Sequence, residues 1–371
     1  MIGGAPEGYD SLLLAQIAAD VSSPTSQVLY IAPHDSGMNR ISNSLRFFSP
    51  NLQITTIPAW DCLPYDRVSP HTEIVAQRLD ALTRLSSGHR ESAAGFITLT
   101  TVNAMLQRVT PRVVLENAIL IATEGEDLPQ DKLLKFLTTH GYRSSGTVRE
   151  PGEFALRGGI VDIFPTGADS PLRLDFFGDE LERIRAFDPM TQRTSGALKS
   201  IVLQPVSEVM LSSETITLFR DQYRRLFGTQ SSNDPLYEAI SAGHSHGGME
   251  HWLPLFHSSL ETLFDYLPGA TIVLDPQAEH AIDARLEQIN EFYDARLTMS
   301  TTTRKSETDV PPYRPIEPSM LFLDGDEWSR RLASHPTAVF SRFEAPVSTN
   351  IVNAGGIRSR DFSEARQVFR E

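Results

Sequence analysis

The sequence predicts an α/β fold: a parallel sheet assembled from two chain segments, with a small α+β domain inserted between them. Three observations carry this reading. Apolar strand-like runs alternate with helical stretches over roughly the first 120 residues, the pattern after Gly141 switches to short β-like runs joined by Pro, Gly and Asp, and the α/β order resumes after about Pro205. The 371 residues suffice for this, since a domain takes about 150 residues and two or three can each bury a core.

The chain opens on a glycine-rich loop (Gly3, Gly4, Gly8), followed by a helix from about Asp10 to Ala19 and an apolar strand, Val28 to Ala32. Further strands are predicted at Gln53 to Pro58 and Phe96 to Thr101, with a helix from Glu73 to Leu85 between them. Parallel strands separated by helices are the economical arrangement. A helix from Asp131 carries Leu133, Leu134 and Leu137 on one face and stops at Gly141, where a left-handed residue ends helices readily. Ile160 to Phe164, Leu172 to Phe177 and Arg183 to Phe187 read as an antiparallel meander. The first domain resumes with strand Ala270 to Leu274 and a long helix from Glu279 to about Leu297. Thr301 to Pro318, with four prolines, reads as a loop. Met320 to Leu323, followed by Asp324-Gly325-Asp326-Glu327, reads as a strand and turn. The expected division is residues 1–119 and 205–335 for the sheet domain, 120–204 for the insert, and 336–371 for a linker or the start of a further domain.

Composition narrows the function. Hydrophobic residues make up 40% and charged residues 22%, so most of the chain should fold. The formal charge is −14, and its field repels phosphate polyanions, which argues against wrapping DNA over a broad surface while leaving room for a local basic patch. Cys62 is the only cysteine, so neither an intrachain disulfide nor a Cys-rich zinc cluster can form, which fits a cytoplasmic protein. No run approaches the roughly 18 apolar residues of a membrane span, and no membrane partner is expected.

Gly3 and Gly8 have the spacing of the phosphate-binding loop G-x-x-x-x-G-K-[ST], in which backbone N–H groups surround phosphate, Lys neutralises it and a hydroxyl holds Mg²⁺. Here Tyr9 and Asp10 stand in the last two positions. The companion motif is an apolar strand ending in Asp-Glu; Thr271 to Asp275 keeps the strand and the Asp, but Pro276 replaces the Glu. Two defects at the functional positions of a preserved frame point to a degenerate P-loop NTPase-like domain that holds no ATP; the alternative is that Gly3 to Gly8 is only a turn opening a helix. Such a loop normally follows a strand, so the natural chain is expected to begin upstream of Met1.

Longer motifs carry a family resemblance. Trp60-Asp61-Cys62-Leu63-Pro64-Tyr65-Asp66, Ser69-Pro70-His71, Thr100 to Arg108, and above all Arg149 to Phe154, Arg157 to Pro165, Arg173 to Glu180, Phe187-Asp188 and Thr191 to Arg193 resemble the N-terminal part of the transcription-repair coupling factor family, Mfd. In that family this region is similar to the repair helicase component UvrB, visible here in Gly248-Met249-Glu250 and Leu263 to Pro268. The departures are the degraded nucleotide motifs and a short stretch, with Trp60 and Tyr65 as its aromatics, in place of the hairpin that UvrB inserts into DNA. The resemblance implies a UvrB-like fold and a fragment without catalytic activity or cofactor of its own. It further implies an ATP- and Mg-dependent DNA translocase and an RNA-polymerase-binding module in domains beyond these residues, and recruitment of UvrA by the insert in transcription-coupled nucleotide excision repair. Two other roles compete: an intramolecular module that contacts the C-terminal part of the full-length protein and holds it in check, and a residual DNA-binding ATPase.

Residues 141–193 contain seven arginines, no lysine and nine carboxylates, a balance that suits guanidinium–carboxylate pairing at a protein interface better than tracking of phosphates. Along Leu172 to Phe177 the two-residue period places Leu172, Leu174 and Phe176 on one side and Arg173, Asp175 and Phe177 on the other. With the leucines inward, an arginine and an aromatic ring share the outer face, residue types that dominate binding energy. The alternative is an Arg173–Asp162 ion pair with Phe177 packed under a turn. In the family, the positions matching Arg157, Arg173 and Phe177 resemble the residues that contact UvrA, and loss of Arg173 or Phe177 is then expected to weaken binding with folding intact. His244, His246, Glu250 and His251 lack firm metal-ligand spacing and read as a polar loop, so no metal is expected.

Overall fold

Five parallel strands form the central sheet, in the order Thr337–Val339, Thr271–Leu274, Val28–Ala32, Phe96–Thr101, Gln53–Ile57. The computed structural model describes residues 1–20, 27–87, 95–228, 234–303, 313–344, 346 and 348–354. The two central strands, Val28–Ala32 and Phe96–Thr101, are buried along their whole length, because helices cover both faces of the sheet. Side-chain alternation divides the layers. Tyr30 and Val28 join Leu14, Met38 and Ile41 from helices Tyr9–Asp20 and Asp35–Phe48 in one core, while Leu29 and Ile31 join Val75, Leu79 and Leu82 from helix Thr72–Ser87 in the other.

The sheet runs past residue 335, the boundary drawn from sequence. Thr337–Val339 pairs in parallel with Thr271–Leu274, and Phe340 is buried against Tyr30. The chain then crosses the opening loop, where Val352–Asn353 pairs with Ile2–Gly3. A linker reading of the stretch up to 354 is therefore corrected, and residues 355–371 lie outside the described residues. The strand expected at Met320 to Leu323 is also corrected. Pro318–Leu321 is a helical turn, and Asp324 caps helix Gly325–Ala333 by accepting the Glu327 N–H at 2.7 Å, so the carboxylates that resembled a strand end form a helix start. The helix expected from Glu279 to Leu297 extends over Ala278–Thr303.

A second core is largely aromatic: Phe219 and Tyr223 of helix Ser213–Phe227 pack with Tyr237, Trp252, Phe256, Tyr313, Phe322, Trp60 and Tyr65. Trp60 and Tyr65, expected in a short hairpin-like stretch, are thus core residues.

The insert is closed at its neck by an antiparallel ribbon of Leu120–Thr123 and Ser200–Leu203, where the chain enters and leaves. Beyond it stands a six-stranded sheet in the order Thr194–Leu198, Glu180–Phe187, Leu172–Phe177, Ile160–Ile163, Glu153–Arg157, Arg143–Ser144, antiparallel except for the last pair. Leu133 and Leu137 of helix Gln130–Thr139 pack on its inner face against Val161, Leu174 and Ile184.

A wholly buried ion pair ties the segment before the insert to the segment after it, alongside the less buried pairs Arg108–Glu327 and Arg112–Glu261. Arg78, on helix Thr72–Ser87, donates through Nε to Glu208 Oε1 at 2.7 Å and through Nη1 to the Pro58 carbonyl at 2.7 Å, and the Trp60 indole donates to the same Glu208 oxygen at 2.8 Å. Both charged side chains are wholly buried. A buried pair contributes little over an apolar substitute, yet loss of one member strands the other charge. Arg78→Met should cost about 3–5 kcal/mol in urea denaturation, and a loss below about 1 kcal/mol would show that the pair is dispensable.

Candidate functional site

The opening loop leads from the short strand Ile2–Gly3 into helix Tyr9–Asp20, and its donors are taken. Gly4 N–H donates to the Phe343 carbonyl at 3.0 Å and Ala5 N–H to the Ser341 carbonyl at 2.9 Å. Gly8, at a φ of +91° that favours glycine, donates to Asp10 Oδ1 at 3.0 Å, and the Tyr9 and Asp10 N–H groups return to the Pro6 carbonyl. Gly3 lies in the two-residue strand paired with Val352–Asn353, and the Tyr9 hydroxyl donates to the Ala354 carbonyl at 3.1 Å.

Asp10 does not face open space. Arg40, from the neighbouring helix, donates through Nη2 to Asp10 Oδ2 at 2.8 Å. Asp275 accepts the Tyr30 hydroxyl at 2.8 Å on one oxygen and the Gln277 N–H at 2.9 Å on the other, which makes it the turn that starts helix Ala278–Thr303, with Pro276 exposed beside it. Burial and the Asp275 charge both push the Tyr30 phenol far above its ordinary pKa, so it remains a donor. Each carboxylate that could organise Mg²⁺ is held by a partner from the chain itself, and the loop presents no Lys and few open N–H groups. These residues do not fit a nucleoside triphosphate. Tyr30 and Arg40 were missed in the sequence reading; a tyrosine inside the aliphatic strand Val28–Ala32 was the one available signal, and Arg40 had none.

The outer face of the insert is the second candidate. Arg157 pairs in register with Ile160, Ile160 with Asp175, and Asp175 alternates with Arg173 and Phe177, so all three expected contact residues share one face. Arg173 grips Asp162 with both ends of its guanidinium, Nε to Oδ1 at 2.7 Å and Nη2 to Oδ2 at 2.8 Å, and lies over the Phe187 ring at 4.8 Å. Asp162 is almost wholly buried, roofed by Arg173 beside a small core of Val148, Ala155, Phe164 and Phe187. The ion-pair alternative weighed for Arg173 is therefore the geometry found. The alternative for Phe177 is not: its ring is 75% exposed, beyond the last core residue of the strand. Arg157 does not join the other two through its head group, which donates to the Gly146 carbonyl at 2.6 Å and to Thr147 Oγ1 at 3.3 Å. The sequence reading also missed that Asp175 serves Arg185, accepting its Nε–H at 3.0 Å.

The model of the UvrB interaction domain matches residues 120–209, the insert and the strand that leads out of it. Over those residues the chain is similar to the UvrB interaction domain. Along nearly its whole length the chain is similar to proteins named transcription-repair-coupling factor: 35% identical to that of Haemophilus influenzae over 343 residues, 92% of this chain and 28% of that protein. The Escherichia coli protein is 33% identical over 345 residues, again 92% of this chain and 28% of the relative, and the Bacillus subtilis protein 25% identical over 315 residues, 78% and 26%. The family resemblance read from the sequence motifs is thus shown. The chain spans 28% of the length of the first two of these relatives.

The remaining candidates disperse. His244 is exposed and His246 half-buried on their loop, while Glu250 and His251 are buried. Glu250 accepts the Ser69 hydroxyl at 2.7 Å, and burial raises its pKa; burial likewise lowers that of His251 to about 4. Among the described residues no group of three metal-ligating side chains converges, and no helix is long and apolar enough to cross a membrane. The loop geometry gives an expectation for nucleotide: a ligand that binds only the folded chain raises its stability by RT ln(1 + [L]/Kd), so millimolar Mg-ATP should leave the thermal midpoint unchanged, and a saturable rise would contradict the assignment of these donors.

Proposed function

We propose that this chain recruits UvrA in transcription-coupled nucleotide excision repair, through the face of the insert that bears Arg157, Arg173 and Phe177, and that the surrounding α/β domain is a non-catalytic frame. The observation that carries the reading is the exposed Phe177 ring on the strand that holds Arg173. A large aromatic left in water at the end of a strand gains nothing for the folded chain, whereas an aromatic and an arginine already fixed in place are the groups that anchor interfaces at low ordering cost. The degenerate loop supports the second half, because a chain whose phosphate donors and carboxylates are satisfied internally needs no cofactor to complete its fold. ATP, Mg²⁺, DNA and RNA polymerase then belong to domains of the full-length protein beyond this chain, and the setting is the cytoplasm.

Isothermal titration of UvrA into the purified chain tests this. Phe177→Ala should weaken binding by about 2 kcal/mol with the melting midpoint unchanged. Arg173→Ala should do both kinds of harm, since it leaves the Asp162 carboxylate buried without its cation and so lowers stability by about 3 kcal/mol. This revises the sequence-based expectation that folding survives intact. Unchanged affinity in Phe177→Ala would sink the proposed surface.

A further inference from the structure

The docking face carries two more cations than its ion pairs use, and only one of them, Arg157, is held by hydrogen bonds. Four arginines lie on it: Arg157, Arg173, Arg183 and Arg185. Arg185 stands directly opposite Arg173 across the strand pair, an arrangement that is unfavourable unless each charge is answered. Asp162 answers Arg173, and Asp175 turns away from its own register partner to answer Arg185. That register partner is Arg183. A shift in the ladder between Leu181 and Arg183 gives this strand an extra residue there, and such a bulge re-aims side chains. Arg183 is exposed, and no ion pair or hydrogen bond holds its guanidinium among the described residues, whereas Arg157 is hydrogen-bonded to the Gly146 loop.

Position gives this free cation a role. Phe177 pairs with Glu180 in the next row toward the hairpin turn, so Arg183, opposite Asp175, is the diagonal neighbour of Phe177 on the same face. Long side chains reach one another across that diagonal. An apolar ring, with Glu180 directly opposite it and the Arg183 guanidinium on the diagonal of the same face, complements a partner surface that has an apolar pocket rimmed by a carboxylate, and the planar fork of arginine suits a carboxylate in two-point contact.

Resting on the recruitment reading above, we infer that Arg183 is a further contact residue of this face, meeting a carboxylate of UvrA beside the pocket that takes Phe177. The arginines already paired within the sheet hold the platform in shape, while Arg183 supplies the charge that selects the partner.

Titrations of UvrA into the chain at two salt concentrations, with Phe177→Ala as reference, decide this. Arg183→Ala should weaken binding about tenfold, Arg183→Glu by more, and Arg183→Lys by less than Ala, with the salt dependence of affinity flattened in Ala. All three should keep the wild-type melting midpoint, since no ion pair or hydrogen bond holds the side chain among the described residues; a lowered midpoint would overturn the assignment by showing Arg183 engaged internally. If Phe177→Ala weakens binding while Arg183→Ala and Arg183→Glu leave it unchanged, Arg183 is not a contact and the recruitment surface stands without it. If Phe177→Ala also binds as wild type, the recruitment reading itself has failed, and this inference with it.

Discussion

The Arg78–Glu208 contact is the constraint on which the architecture depends. The insert interrupts the sheet domain between residues 119 and 205, so the two segments must find each other across an intervening unit with its own sheet and core. A buried, geometrically demanding ion pair, shared with the Trp60 indole and the Pro58 carbonyl, has few alternative satisfactions. Its members come from the first segment and from the residues that follow the insert. An apolar contact there would tolerate slippage; a buried charge with its hydrogen bonds complete does not. The same contact fixes the neck of the insert, because Glu208 follows the strand Ser200–Leu203 by five residues.

Internal satisfaction of polar groups also explains the opening loop. A phosphate loop leaves several N–H groups and a cation directed at an anion, and without that anion they would be uncompensated. Here the chain supplies its own acceptors: the Ser341 and Phe343 carbonyls for the amides of Ala5 and Gly4, the Asp10 carboxylate for Gly8. Arg40 and Tyr30 then answer Asp10 and Asp275. The arrangement is self-contained, and the strand Val352–Asn353 closes the loop by pairing with Ile2–Gly3 at the surface.

The insert treats its charges differently. Asp162, Arg173, Asp175 and Arg185 form an alternating series across three strands, so most of the charge on the outer face is spent on rigidity. A nearly neutral platform with one exposed ring and, among the described residues, one guanidinium on that face held by no ion pair or hydrogen bond would dock through few groups, at a low entropy cost. The balance of seven arginines and nine carboxylates in residues 141–193 is the composition such a device needs.

By itself the sequence determined the fold class, the strands Val28–Ala32, Phe96–Thr101 and Leu172–Phe177 to the residue, the presence of Tyr9 and Asp10 where a phosphate loop carries lysine and a hydroxyl, and the common side of Arg173, Asp175 and Phe177 on their strand. Each follows from a local period or from the chemistry of one residue. Only the tertiary structure decided what meets what: that Thr337–Val339 completes the sheet, that Asp324 caps a helix, that Arg173 is bound to Asp162 while Phe177 is free, and that Asp175 serves Arg185 instead of Arg183. Those outcomes turn on register, a bulge and contacts between residues up to 351 positions apart, such as the Val352 N–H with the Met1 carbonyl, and no window of sequence encodes them.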